Sequence, residues 1–149
     1  MDKKQNKRHF FRLAFATPLC ADMKIIPLED VEIEQRSHRV AIVDLSGGGL
    51  KFISPVKLAD DFQMLLEFRF VLLNKELKLL ANLVRRLDEG ERFEYSVRFT
   101  IDDSEQSNLV QLINTLSIKL KSARTLSSCS FCTEKEISDI FAGSNPSVI

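Results

Sequence analysis

Residues 92–101 alternate without a break. Phe93, Tyr95, Val97, Phe99 and Ile101 fall on one side of the chain, and Arg92, Glu94, Ser96, Arg98 and Thr100 on the other. A period of two over that length is the mark of a strand with one buried face and one wet face. It also commits the rest of the chain to supplying neighbours for both edges of that strand. The other segments read in the same way. Phe11, Leu13, Phe15 and Leu19 share a face opposite Arg12, Ala14 and Ala16, with Pro18 marking an edge or a bulge. Residues 39–44 lead into a glycine-rich turn, 50–54 lead out of it, and Pro55 stops the pairing. Residues 62–73 carry Leu66, Phe68, Phe70 and Leu72 in phase, and 76–87 carry Leu77, Leu79, Ala81 and Leu83. Turn chemistry punctuates the runs at Pro27-Leu28-Glu29-Asp30, Asn74-Lys75 and Asp88-Glu89-Gly90-Glu91. Residues 31–34 alternate weakly and extend a hairpin. The expectation is a mainly β protein: six antiparallel strands joined by short turns and closed into a small barrel, which hides both edges.

The period then changes. Leu109, Leu112, Ile113, Leu116 and Leu120 form a helical stripe, with Asp103 as expected N-cap and Gln106 three residues on. Lys119, Lys121 and Arg124 collect near the C-terminal end, where cations favour the helix dipole. This helix is expected to pack on the barrel and cover an open end. Beyond a Ser-rich connector, Thr133-Glu134-Lys135-Glu136 has the form of a capping box, opening a short helix through Phe141 that Gly143 ends. The expected organisation is a mobile basic segment over residues 1–7, a barrel with its covering helix over 8–124, and a tail with a short helix over 125–149. Ile137, Ile140 and Phe141 give the tail helix an apolar side, for a partner, for a second copy of the chain or for its own barrel.

At 149 residues the chain is long enough to bury one core without staples. Formal net charge is +0, so no global basic field argues for DNA binding. The longest apolar run, 64–73, is broken by Glu67 and Arg69, so no membrane insertion is expected. Three cysteines make no disulfide framework, and the reading is a cytoplasmic protein with reduced thiols, monomeric or weakly dimeric. Cys129-Ser130-Phe131-Cys132 has metal-ligand spacing, but zinc wants four ligands and no second pair exists. Two thiols in a mobile tail is the plainer reading. No nucleophile-base arrangement or zinc-protease motif stands out, so no catalytic residues, no metal and no enzyme are expected.

Two further stretches carry chemistry. The first is Arg8-His9-Phe10-Phe11-Arg12, following Lys7. A guanidinium fork meets a phosphate, or the O6/N7 edge of guanine, in a bidentate way that lysine cannot copy. Taken alone, the pair fits solvated charges in a basic tail better, since basic N-termini are common. The second is Asp44-Leu45-Ser46-Gly47-Gly48-Gly49. A carboxylate accepts from the N1–H and N2–H2 edge of guanine, Ser46 reaches phosphate or base, and the glycines are expected to allow φ > 0 and bring bare backbone close to a ligand. Taken alone, this is also a β-turn whose Asp and Ser bond to their own backbone. It is not a phosphate loop, because no Lys-Ser or Lys-Thr follows it.

Together, in this order and context, the two stretches resemble the PilZ family of bacterial cyclic di-GMP receptors. That family carries Arg-x-x-x-Arg before the first barrel strand and Asp-x-Ser-x-x-Gly between the second and third. The resemblance runs from residue 7 to about 101 and includes Leu83-Val84-Arg85-Arg86 and Tyr95-Ser96-Val97-Arg98-Phe99. Family members often have Gly where Ser96 stands. The resemblance implies that Arg8 and Arg12 hold guanine edges and phosphates of cyclic di-GMP, that Asp44 and Ser46 read a guanine, and that Gly48 and Gly49 shape the turn. It implies that Lys7 bears on whether one ligand or a stacked pair binds, and that Arg85 or Arg86 adds charge or stacking unless both are plain outward strand charges. It implies a receptor without cofactor that changes conformation and regulates a protein partner in motility, pili or exopolysaccharide output. Two other classes remain: a PilZ-like adaptor that binds no nucleotide, and a small-barrel RNA binder, against which stand the net charge, the lack of Trp and a single Tyr.

Overall fold

The computed structural model describes residues 10–26, 37–58 and 64–142. Lys7 and Arg8, the turn at 27–30, the weak strand at 31–34 and Gly143 lie outside the described residues. Six strands follow in order: β1 (Leu13–Ile26), β2 (His38–Leu45), β3 (Gly49–Ser54), β4 (Leu65–Leu72), β5 (Lys75–Glu89) and β6 (Arg92–Phe99). Two helices come after them, α1 (Asp103–Lys119) and α2 (Glu134–Ala142). The strands close an antiparallel barrel in the order β1-β2-β3-β6-β5-β4. Two three-stranded meanders are thus joined at β3–β6 and β1–β4.

The alternations become the barrel lining. Phe93, Tyr95, Val97 and Phe99 are buried in β6, and Leu66, Phe68, Phe70 and Leu72 in β4. Phe52 stacks on Tyr95 at 5.0 Å between ring centroids and meets Phe68 edge-on at 5.1 Å. Tyr95 also needs a partner for its hydroxyl, and finds two. Its Oη donates to Val56 O at 2.8 Å and accepts from Leu58 N at 2.8 Å, pinning the segment that leaves β3.

The turns between β4 and β5 and between β5 and β6 have two residues each. Leu72 pairs with Lys75 across Leu73-Asn74, and both of these residues have positive φ. Glu89 pairs with Arg92 across Gly90-Glu91, with Gly90 at φ 77°. Such mirror-image turns match the strand twist. The first lies one residue before the Asn74-Lys75 position expected from sequence, because Leu73 itself takes the left-handed conformation.

Asp102, not Asp103, caps α1. Its carboxylate accepts from Glu105 N at 2.8 Å while Glu105 Oε1 accepts from Asp102 N at 3.3 Å, so the box starts one residue early and closes on Glu105 rather than Gln106. Leu109, Ile113 and Leu116 of the helix join the main core. The box at α2 is the expected one: Glu136 N donates to Thr133 Oγ1 at 3.1 Å and Thr133 N to Glu136 Oε1 at 2.8 Å.

The segment between the helices is not loose. β1 pairs directly with β4 only from Asp22 to Ile26, and its register slips between Ala14 and Leu19, around Pro18. Residues 128–132 fill the seam that this leaves. Ser130 O accepts from Cys20 N at 2.7 Å, and Cys132 N donates to Pro18 O at 2.9 Å. On the other side, Ser130 N donates to Val71 O at 3.0 Å, and Asn74 N to Ser128 O at 2.8 Å. The Ser130 hydroxyl donates to Cys20 O at 3.0 Å and accepts from Val71 N at 3.1 Å. Cys129 and Cys132 are accordingly buried, which replaces the expected mobile tail. α2 then lies on the outer face of the barrel, where Ile137, Ile140 and Phe141 cover Cys20, Ala41, Val43 and Ile53. Of the occupants considered for its apolar side, its own barrel is the one observed.

Candidate functional site

The glycine turn owes its glycines to close neighbours, not to unusual dihedrals. None of Gly47, Gly48 and Gly49 has positive φ, contrary to expectation. Crowding is the cause of each. A Cβ on Gly49 would collide with the carbonyl oxygen of Val97 on the neighbouring strand. A Cβ on Gly47 would stand 2.6 Å from Val110 Cγ2 and 2.9 Å from the Phe10 ring, and one on Gly48 3.3 Å from the same ring. Ser46 behaves as a turn residue: its hydroxyl donates to Gly49 O at 3.3 Å and accepts from Gly48 N at 3.2 Å. Phe99 N donates to Gly48 O at 2.9 Å, and Gln106 of α1 donates from Nε2 to Gly47 O at 3.1 Å. The turn is thereby tied to β6 and to the first turns of α1.

Asp44 faces a different partner. It is buried, and its Oδ1 accepts from Arg12 Nη1 at 2.8 Å. Lys51 Nζ stands 3.9 Å from Oδ2 and also 3.9 Å from Glu94. The Arg12 side chain remains 56% exposed while that of Asp44 is 11% exposed. A half-solvated guanidinium thus sits over a carboxylate that the fold has fixed in place. Phe10 and Arg12 thus both join the segment before β1 to the barrel, the one against the glycine turn and the other at Asp44.

Arg12, Ser46, Gly48 and Gly49 line one open cleft of about 400 Å³. Sequence reading missed the rest of its wall: Phe10, Val84, Ser96, Val97 and Arg98. Arg98 pairs in register with Gly49 on one side and Asn82 on the other, so its side chain rises beside the glycine turn. Among the described residues it has no hydrogen-bonding or acidic partner. The signal for it was available, since a strand residue two positions after Ser96 projects from the same face. Ser96 lies on this wall too. A residue smaller than serine would widen the cleft there.

Arg86 is not brought to this cleft. Its Nε donates to Asp88 at 2.8 Å, its Nη1 to Leu58 O at 3.2 Å, and its head lies 6.0 Å from the Phe93 ring centre. A guanidinium already held by a carboxylate and a backbone carbonyl serves the loop after β3. Arg85 is exposed and pairs in register with Ser96. Among the described residues no group of three His, Cys, Asp or Glu side chains is placed to hold a metal ion, and no helix is long and apolar enough to cross a membrane.

The family model for the PilZ domain matches residues 6–115. The chain belongs to the PilZ domain family. Solved PilZ-like structures share its fold at low identity. The inhibitor of motility MotI/DgrA of Bacillus subtilis is 18% identical with a TM-score of 0.53, over 80% of this chain and 58% of that one. YcgR of Escherichia coli, solved with cyclic di-GMP, is 20% identical with a TM-score of 0.54, over 78% of this chain and 48% of that one. The isolated PilZ domain of YcgR, also with cyclic di-GMP, is 16% identical with a TM-score of 0.52, over 81% of this chain and 100% of that domain. This PilZ chain therefore spans roughly half the length of the first two proteins it resembles. No curated protein matches it by sequence.

Proposed function

We propose that this PilZ protein is a cyclic di-GMP receptor that regulates a protein partner. The observation that carries the reading is the cleft in which Arg12, Ser46, Gly48, Gly49 and Arg98 converge, with Asp44 fixed behind Arg12. The chemistry suits a guanine dinucleotide. Arg12 and Arg98 offer forks for phosphate or for the O6/N7 edge, and the Asp44 carboxylate offers acceptors for N1–H and N2–H2. Arg8 is assigned to the same ligand from its place in the motif, and Lys7 to the number of ligands bound. Guanine binding at Asp44 frees Arg12 for a phosphate, while Lys51 continues to balance the carboxylate. The ties from the turn to β6 and α1 then carry the change beyond the cleft.

Calorimetry with cyclic di-GMP, with cyclic di-AMP and GTP as controls, tests the reading. Adenine lacks the O6 acceptor and the N1–H donor, so each mismatched contact costs about 1–3 kcal/mol and cyclic di-AMP is expected to bind at least tenfold more weakly. Arg8→Ala and Arg12→Ala should each abolish most of the affinity while the melting temperature stays near wild type. Equal affinity for the two cyclic dinucleotides would refute the assignment.

A further inference from the structure

The receptor reading uses both arginines of the arm but leaves the two phenylalanines between them, Phe10 and Phe11, without a task. Phe10 is half-buried, and its ring lies against the backbone of Gly47 and Gly48. The ring borders the ligand cleft on one side and, on the other, a smaller hollow lined by Gln106, Ser107, Val110 and Gln111 of α1. Val110 presses on Gly47 from the helix side, close to where the ring presses on it. The next residue, Phe11, has no such seat and is 54% exposed. Phe10 and Val110 together leave no room for a side chain at 47, and the Phe10 ring leaves little at 48.

We propose that Phe10 is the positioning residue of the cleft, an apolar pin that seats the arm on the glycine turn and so fixes where Arg12 stands relative to Asp44 and Ser46. This rests on the receptor reading and deepens it. An apolar pin suits the task because it needs no charge. Arg12 could hold the arm down only through Asp44, and those are the groups the ligand must engage. Phe10 anchors the segment through dispersion and exclusion of water, and leaves the fork and the carboxylate available. Fork geometry matters at this scale, since a displacement of about 1 Å removes a bidentate contact.

The test compares Phe10→Ala, Phe10→Leu and Phe11→Ala with wild type by calorimetry with cyclic di-GMP over a salt series, with thermal melts and trypsin cleavage of the free protein alongside. Phe10→Ala is expected to lose about tenfold or more in affinity. Its affinity should also depend less steeply on salt, because mispositioned forks neutralise less phosphate charge. Arg12 should be cut faster in that variant without ligand, while the melting temperature stays near wild type. Phe10→Leu should recover most of the affinity, and Phe11→Ala should stay within about twofold of wild type. A lower affinity with an unchanged salt dependence would make Phe10 a base-stacking contact, and a melting temperature falling in step with affinity would make it a fold residue. Either result overturns the positioning role. If Phe10→Ala binds as wild type does, the positioning role alone falls; if wild type itself does not bind cyclic di-GMP, the receptor reading falls and takes the positioning role with it.

Discussion

A methyl group on Gly49 would land on the carbonyl oxygen of Val97, whereas one on Gly90 would meet nothing within 4 Å. The two glycines are required for different reasons. Gly49→Ala forces β3 and β6 apart and should destabilise by about 1–3 kcal/mol, as overpacking does. Gly90→Ala meets only the strain of a left-handed residue, about 1 kcal/mol. Denaturant midpoints of the two variants, read against wild type, check the order. Tyr95→Phe supplies a second test at this scale. It removes the hydroxyl between Val56 O and Leu58 N and leaves a buried carbonyl and amide without that partner, so a loss of about 1–3 kcal/mol is expected with the barrel retained. The sequence revealed that glycine was needed at 49, but not why. Dihedral freedom is the usual cause and is local, whereas the approach of Val97 depends on which strand becomes the neighbour of β3.

Elements were legible where one face is buried throughout. β4, β6 and β5 as far as Leu83 follow their alternation closely, because a register slip would turn apolar side chains to water; past Leu83 the register of β5 with β6 does slip, and Val84 and Leu87 are exposed. β1 was only half legible. Its pattern breaks at Pro18, where its register with β2 slips and its other edge takes up residues 128–132 before it reaches β4, and the strand then runs on to Ile26. α2 was read almost to the residue, because its capping box is local chemistry. That box also gives α2 a pH dependence. The Glu136 carboxyl is held below its ordinary value of 4.5, first by the hydrogen bond from Thr133 N, then by the Cys20 thiol and the Arg39 guanidinium at 3.2 Å, with burial opposing them. A carboxyl depressed in the folded state stabilises fully above its ordinary value and loses that contribution as pH falls through the folded one. Amide protection in α2, taken relative to the intrinsic exchange rate, should therefore fall between about pH 4.5 and the lower folded value, ahead of the barrel strands. In Glu136→Gln, which keeps the acceptor for Thr133 N but not the charge, protection in α2 should be lower at neutral pH and change little across that interval. An α2 whose protection in wild type is unaffected by acid would remove Glu136 as its clasp.

At the scale of the molecule, the family match ends at residue 115, yet the barrel is not finished there. The β1–β4 seam is filled by residues 128–132, with Phe131 meeting Phe15 edge-on at 6.0 Å. A chain truncated after Arg124 would expose Leu19 and Cys20, now buried, and leave main-chain groups of β1 and β4 without partners. Its melting temperature should fall by about 10 °C or more. Ser130→Ala, which removes only the bridging hydroxyl, should cost about 1–2 kcal/mol. Calorimetry on both decides whether this segment is part of the fold or an accessory to it. Nothing local in Ser127-Ser128-Cys129-Ser130 announces the role, since a serine-rich stretch reads as a connector until the gap it fills is known. The same seam has a consequence for how the protein is made. Ser130 and Cys20 are bonded across 110 positions of sequence. On the ribosome, β1 to β6 can emerge and pair among themselves, but the last edge must wait until residue 132 has cleared the exit tunnel. Until then Leu19 and the far edge of β4 face water. At ordinary elongation rates of about 5–20 residues per second, the roughly thirty residues between the end of β6 and that closing segment leave the nascent barrel ajar for seconds. That interval is when a chaperone would find it.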